Sequence, residues 1–274
     1  MFQGRQGRQP AILTVTVAVA SIMLAGSVIR VTGQGQTSAM PRTSSGKPDF
    51  TGIWQAMNTA NWDLLAHEAR RGPVAALGAA FSIPAGRGVV DGDEIPYLPE
   101  AAAKKKENAA NWLTRDPEIK CFMPGVPRMM YMPYPFQIVQ GPDTIMMASE
   151  FASASRTIRM NTKDQSPTDT WMGWSVGRWE GDTLVVDVTD QVDQTWLDRA
   201  GDFHSAALHV VERYSPLDHN TLNYEARIED PKVFSRPWTI RMPLYRHVEP
   251  HAQLLEYKCV EFVEELMYGH LRKR

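Results

Sequence analysis

Cysteine is scarce in this chain of 274 residues: there are two, Cys121 and Cys259, and no C-x-x-C pair. Thiolate zinc sites and dithiol redox motifs are thereby excluded. An excess of either charge is missing too. Lys and Arg number 29 against 31 Asp and Glu, and the net charge of −2 gives no electrostatic pull toward nucleic acid. The closing Leu271-Arg-Lys-Arg274 is too short a cluster to change that. No G-x-S-x-G elbow, P-loop or strand-borne G-x-G-x-x-G occurs, and no spacing marks two carboxylates for glycoside hydrolysis. The motifs of serine hydrolases, NTPases and dinucleotide enzymes are therefore absent, and no cofactor is expected.

One long apolar run exists, at the N-terminus. Ala11 to Gly26 carries no charge and follows Arg5 and Arg8, the layout of a secretory signal. The arginines are not adjacent, so a twin-arginine signal is not supported. Thr37-Ser38-Ala39 offers small residues for cleavage, whereas Ala11 to Ile29 retained as an anchor nearly reaches bilayer length. Residues 1–39 are expected to be a signal peptide or signal anchor plus the start of a linker rich in Gly, Gln, Ser, Thr and Pro. The protein is expected to be periplasmic or secreted, touching a membrane only through an uncleaved N-terminal segment. In an oxidising compartment the two cysteines read as one disulfide joining mid-chain to the last strand, the alternative being two buried thiols.

Residues 40–274 read as one domain of a size that buries a single core. Gly173-Trp-Ser-Val-Gly-Arg-Trp-Glu-Gly-Asp-Thr-Leu-Val-Val-Asp187 sets the grammar. Two strand-like runs flank Glu180-Gly181-Asp182, where glycine takes the positive φ of a tight turn. Beyond it, Leu184, Val186 and Val188 alternate with Thr183, Asp187 and Thr189. Similar runs are read at 136–140, 144–151, 156–160, 170–176, 208–214, 221–228, 238–245 and 254–262, with Pro48 to Trp54 as a first strand. A mainly β, antiparallel up-and-down barrel of about 8–10 strands follows. An insert at 60–118 differs, with helices expected at Asn61–Arg71 and Glu100–Leu113 around a Gly/Pro-rich loop.

The Gly52-Ile-Trp54 of the first strand, with the meander after it, resembles the lipocalin/calycin barrels. A second likeness is more specific. The run from Gly173 to Leu184, Thr195-Trp-Leu-Asp198, His204-Ser205 and Leu208-His-Val-Val-Glu-Arg213 resemble a large family of secreted bacterial proteins of unassigned function. The chain departs from that pattern at Asp190-Gln191-Val192, where relatives read Gly-Phe-Asn. This resemblance implies the fold and no reaction.

The densest polar group is Asp198, Arg199, His204, His209, Glu212 and Arg213. Strand alternation puts His209 and Glu212 on opposite faces. His204 or His209, oriented by Asp187 or Asp198, is the candidate acid/base pair. Neither His204/His209 nor His247/His251 has the spacing of a helical ligand pair, and no metal is expected. Met129-Met130-Tyr131-Met132 and Met146-Met147 are candidates to line an adaptable apolar cavity, equally readable as ordinary core. Arg128, Trp174, Tyr214 and Glu212 are the candidate ligand-binding residues, with Arg128 clamping an anionic group at the mouth.

Three functions fit. The first is a barrel that binds a small, largely hydrophobic molecule. The second is a cofactor-free lyase, isomerase or hydratase acting on a hydrophobic or phenolic substrate. The third is an interaction module docking through an apolar face of residues 60–118.

Overall fold

The protein is described by a computed structural model at Met1 and residues 39–272, so the expected export segment falls outside the described residues. β1 (Gly52–Ala56) opens a barrel. The insert follows, with the paired two-residue strands β2 (Ala66–His67) and β3 (Gly86–Arg87) and helices α1 (Pro99–Ala110) and α2 (Trp112–Arg115). The remaining strands are β4 (Phe136–Gln140), β5 (Thr144–Ser149), β6 (Ser155–Met160), β7 (Trp174–Glu180), β8 (Thr183–Thr189), β9 (His209–Asp218), β10 (Thr221–Glu229) and β11 (Trp238–Arg246). Helix α3 (Val263–Arg272) comes last.

β4 to β11 follow one another around the wall, and β1 closes the ring between β4 and β11. The closed, antiparallel-dominated barrel expected from the alternation is thus present. Its nine strands impose one exception. A ring of odd number cannot be antiparallel at every seam, and the parallel seam falls between β6 and β7, pairing Ile158 with Ser175, Arg159 with Val176 and Met160 with Gly177. A parallel pair obliges the chain to return to its starting end before continuing. Residues 161–173 make that return along the outside of the wall. They are held by Asn161 N to Gly177 O (2.8 Å), Trp174 Nε1 to Asp164 O (3.0 Å) and Thr170 N to Asp190 O (2.9 Å).

Period-two alternation fills the inside. Leu184, Val186 and Val188 from β8 meet Val210 and Tyr214 from β9, and Leu222, Tyr224, Ala226 and Ile228 from β10. Each such side chain contributes roughly 1.5–3 kcal/mol on burial. The β7–β8 hairpin turns at Gly181 with φ +61°. One barrel end is capped by the insert and by the loops at 190–208 and 230–237, with Tyr97 packed against Phe234 (5.1 Å) and Phe203 (6.1 Å). At the other end Phe50 lies against Trp179 (5.5 Å), and Arg246 from the last strand stacks on Trp54 (4.2 Å).

Two expected elements are corrected. Asn61–Arg71 is turn and short strand, not helix. Its backbone is claimed by distant partners: Leu64 N donates to Asp198 Oδ2 (2.9 Å), and Val89 N donates to Leu64 O (2.9 Å). Leu254–Phe262 is not a strand. The closed ring leaves β11 no free edge to pair with. Cys121 and Cys259 are bonded, with Cα atoms 5.7 Å apart. The disulfide therefore ties an irregular C-terminal segment, not the final strand, to the mid-chain.

Candidate functional site

The barrel interior offers no open chamber. Trp54, Phe136, Ile138, Met147, Leu222, Tyr224 and Ile240 are each 0 % exposed, so not even a water-sized void adjoins them. At its centre Arg156 forks onto Glu212, with Nη1 to Oε2 2.6 Å and Nη2 to Oε1 3.0 Å. Tyr214 OH (2.8 Å) and Tyr224 OH (2.9 Å) donate to the same carboxylate, and Arg156 Nη2 reaches Tyr214 Oη at 2.8 Å. Burial works to lower the Arg156 pKa, and Glu212 overcomes it and holds the guanidinium charged. Burial, with Glu212 beside it, pushes the Tyr214 phenol far up, so it stays a neutral donor. Glu212 and Tyr214 thus hold an inward-pointing arginine in the packed lumen.

The capped end contains two further networks. Arg128 is 1 % exposed and lies inside the protein, not at a mouth. Nε donates to Asn61 Oδ1 (2.8 Å), Nη1 to Asp116 Oδ1 (2.7 Å), and Nη2 to Asp116 Oδ2 (2.9 Å) and Glu118 Oε2 (2.7 Å). Four of its five N–H donors are committed inside the protein, and its burial keeps it from reaching a ligand at a mouth. Arg199 grips Glu118 from the other side at 2.8 Å, and stacks on Trp62 (4.4 Å). Burial works to raise Glu118, but Arg199 and Arg128 hold it down to about 2.

His204 is buried in a second network. Its Nδ1 lies 2.9 Å from Ser205 O, which can only accept, so Nδ1 carries the proton and Nε2 accepts from Thr195 Oγ1 (2.6 Å) and Gln191 Nε2 (3.2 Å). Burial lowers its pKa and keeps it neutral. Gln191 Oε1 also accepts from Val126 N (2.9 Å), and a Cβ at Gly125 would stand 2.5 Å from Gln191 Nε2. Gln191 is therefore a buried clasp between the Gly125–Val126 turn and the His204 pocket. Asp198 bonds Leu64 N and Asp202 N and neither histidine. Burial, with Asp202 alongside, pushes Asp198 well above the usual carboxylate range.

His209 and Asp187 do meet, Nε2 to Oδ1 at 3.2 Å, on the half-exposed outer wall, where Arg178 also grips Asp187. The two histidines thus occupy separate places. Asp187 and Trp174 line a groove of about 450 Å³ beneath residues 164–166. A second groove, of about 480 Å³, lies at the upper part of the parallel seam. Met123, Trp171, Met172 and Trp174 give it apolar walls, Arg159 brings a cation and Asp169 an acid, while the guanidinium of Arg156 stays turned into the lumen. The Arg159 guanidinium stacks on Trp174 at 3.7 Å and has no hydrogen bond or carboxylate partner among the described residues. Arg156 Nε, buried, also lacks a partner.

The fold and its sites define a closed nine-stranded barrel with a packed, mainly apolar lumen around one Arg156–Glu212 network, and a solvent groove over its single parallel seam. No protein-family model and no curated protein matches the chain. Sequence reasoning reached Trp174 but missed Arg156, Arg159 and Trp171. The signal available was the inward phase Arg156, Ile158, Met160 in β6: an arginine on the core face demands a partner. No helix among the described residues is long and apolar enough to cross a membrane. None of the strongly exposed large apolar side chains lies within 60–118, so the docking-module reading loses its motive.

Proposed function

We propose that this is an exported barrel protein that binds a small, largely hydrophobic molecule bearing an anionic group, on the outside of the barrel at the β6–β7 seam. The observation that carries this reading is the groove of about 480 Å³ in which an uncommitted Arg159 lies stacked on Trp174. That volume lies in the usual range for small-molecule sites, roughly 300–1,000 Å³. Trp171, Met172 and Met123 supply apolar contact, and Arg159 supplies a planar donor pair for a carboxylate or sulfonate. The packed lumen directs the ligand outward. Glu212, Tyr214 and Tyr224 serve the groove indirectly, by fixing Arg156 behind it. The disulfide and the basic-then-apolar N-terminus support export.

Titration with 1-naphthoate tests the reading. The expected result is saturable quenching of tryptophan fluorescence, weakened at least about tenfold in Arg159→Ala, the worth of one charge-assisted contact. Saturation that is unchanged in both Arg159→Ala and Trp171→Ala would overturn it. The acid–base enzyme reading has one observation in its favour, the His209–Asp187 pair beside the 450 Å³ groove. It requires a pH–rate profile that disappears in His209→Gln.

A further inference from the structure

At the capped end, away from the seam groove, three carboxylates converge. Asp63, Asp198 and Asp202 each bring an oxygen within 4.8 Å of the others. Asp198 and Asp202 are wholly buried, and Asp63 is 12 % exposed at its side chain. The neighbouring network shows how this protein satisfies buried acids when it uses its own cations: Arg128 and Arg199 hydrogen-bond Asp116 and Glu118 throughout. Nothing comparable occurs here. Among the described residues no Lys or Arg hydrogen-bonds any of the three. Lys105 Nζ stands 3.7 Å from Asp202 Oδ2, and Arg70 Nη2 stands 3.7 Å from Asp63 Oδ2. The bonds the cluster does receive come from neutral donors: Leu64 N and Asp202 N to Asp198, Leu65 N to Asp63, and Tyr97 OH to Asp202 Oδ1 (2.7 Å).

A separate observation marks what is missing. Asp202 Oδ2 is buried and has no hydrogen-bond partner among the described residues. Leaving a buried carboxyl oxygen so is costly unless a partner completes it. One member of the cluster, Asp63, also faces a pocket. Asp63 and Lys105 line a pocket of about 240 Å³ whose other walls include Trp62, Trp112 and Arg199.

We propose that Asp63, Asp198 and Asp202 bind a hard divalent cation, calcium by preference, which fastens the insert to the 198–202 loop. All donors are oxygen, the chemistry of calcium and magnesium and not of zinc or copper. Calcium accepts several carboxylates in a flexible shell at 2.3–2.6 Å, whereas magnesium keeps most of its waters and takes one or two carboxylates, so three convergent acids suit calcium better. The ion would join chain segments far apart in sequence: Asp63 from the insert, and Asp198 and Asp202 from the loop between β8 and β9. Water would complete its coordination from the pocket side, with Lys105 swung outward. No C-x-x-C or H-x-x-x-H spacing announces such a site, because its ligands are assembled by the fold.

Terbium luminescence tests it on the full chain, because Trp62 adjoins Asp63 and can sensitise the bound ion. The expected result is saturable emission near one ion per chain, displaced by calcium at lower concentration than by magnesium. Asp63→Asn should weaken binding at least about tenfold, the value of a lost charged ligand. Calcium should also raise the thermal midpoint of the wild type relative to EDTA, a measurement that decides the matter even where a variant fails to fold. No sensitised emission together with no calcium-dependent midpoint shift would overturn the proposal, leaving protons to neutralise the cluster. So would terbium binding that persists undiminished in a folded Asp63→Asn protein.

Discussion

Glu212 shows how much one residue carries here. It is the sole carboxylate bonded to Arg156 in the lumen and accepts from two tyrosines besides. Removing one member of a buried pair strands the other, at a cost of about 3–5 kcal/mol. Glu212→Gln should therefore lower the unfolding free energy by about that amount in urea titrations, and the double variant Arg156→Met/Glu212→Leu should recover much of the loss. Residual stability in the double variant no better than in Glu212→Gln would contradict the pairing account. His204 gives a pH prediction. Burial lowers its folded pKa, so on acidification the unfolded chain takes up the proton first, from about pH 6.5 downward. Stability is present above that value and falls as pH drops through the folded pKa. A His204→Asn variant should show a flatter thermal-midpoint profile between about pH 7 and 5. Period two made Glu212's inward phase legible in the sequence. Its partner was not, because Arg156 lies 56 positions away and only the closed wall brings them together.

At the scale of elements, local pattern succeeded where the chain pairs with its sequence neighbour. The hairpins β4–β5, β7–β8 and β9–β10 were readable from alternation and their turns. It failed where tertiary partners take over the backbone. Ala, Leu and Glu in Asn61–Arg71 favour helix, yet Asp198 captures Leu64 N. Leu254–Phe262 has strand composition and no edge to join; Leu255 N bonds Glu150 Oε1 (2.7 Å), and Phe262 N bonds Ile119 O (2.8 Å). Tyr257 packs against Tyr134 (4.7 Å), and Tyr268 of α3 against Phe81 (5.3 Å). The disulfide is the covalent part of this attachment. With its cysteines 138 positions apart, its loss in Cys259→Ser should cost up to about 5 kcal/mol in the chain-entropy model. In limited proteolysis residues 247–262 should then be cut first, while the barrel core persists. Early cleavage within β9 or β10 instead would show that the bond holds the wall itself.

For the whole molecule, the closed barrel was legible and its parallel seam was not. Alternation counts strands without revealing their direction, and a nine-membered ring forces one parallel pair wherever the chain can run back. That return of residues 161–173 along the outer wall forms walls of two grooves, whereas the sequence reading expected a ligand cavity within the barrel. The central claim is that the lumen is solid and a ligand binds outside it, at the β6–β7 seam. Chemical-shift mapping with 1-naphthoate measures this most directly. The account predicts shifts at the indole N–H signals of Trp171 and Trp174 and at the amides of Thr157 and Arg159, with Leu222, Ala226 and Ile240 unmoved. Shifts concentrated at Leu222, Ala226 and Ile240 would place the ligand in the lumen and contradict it.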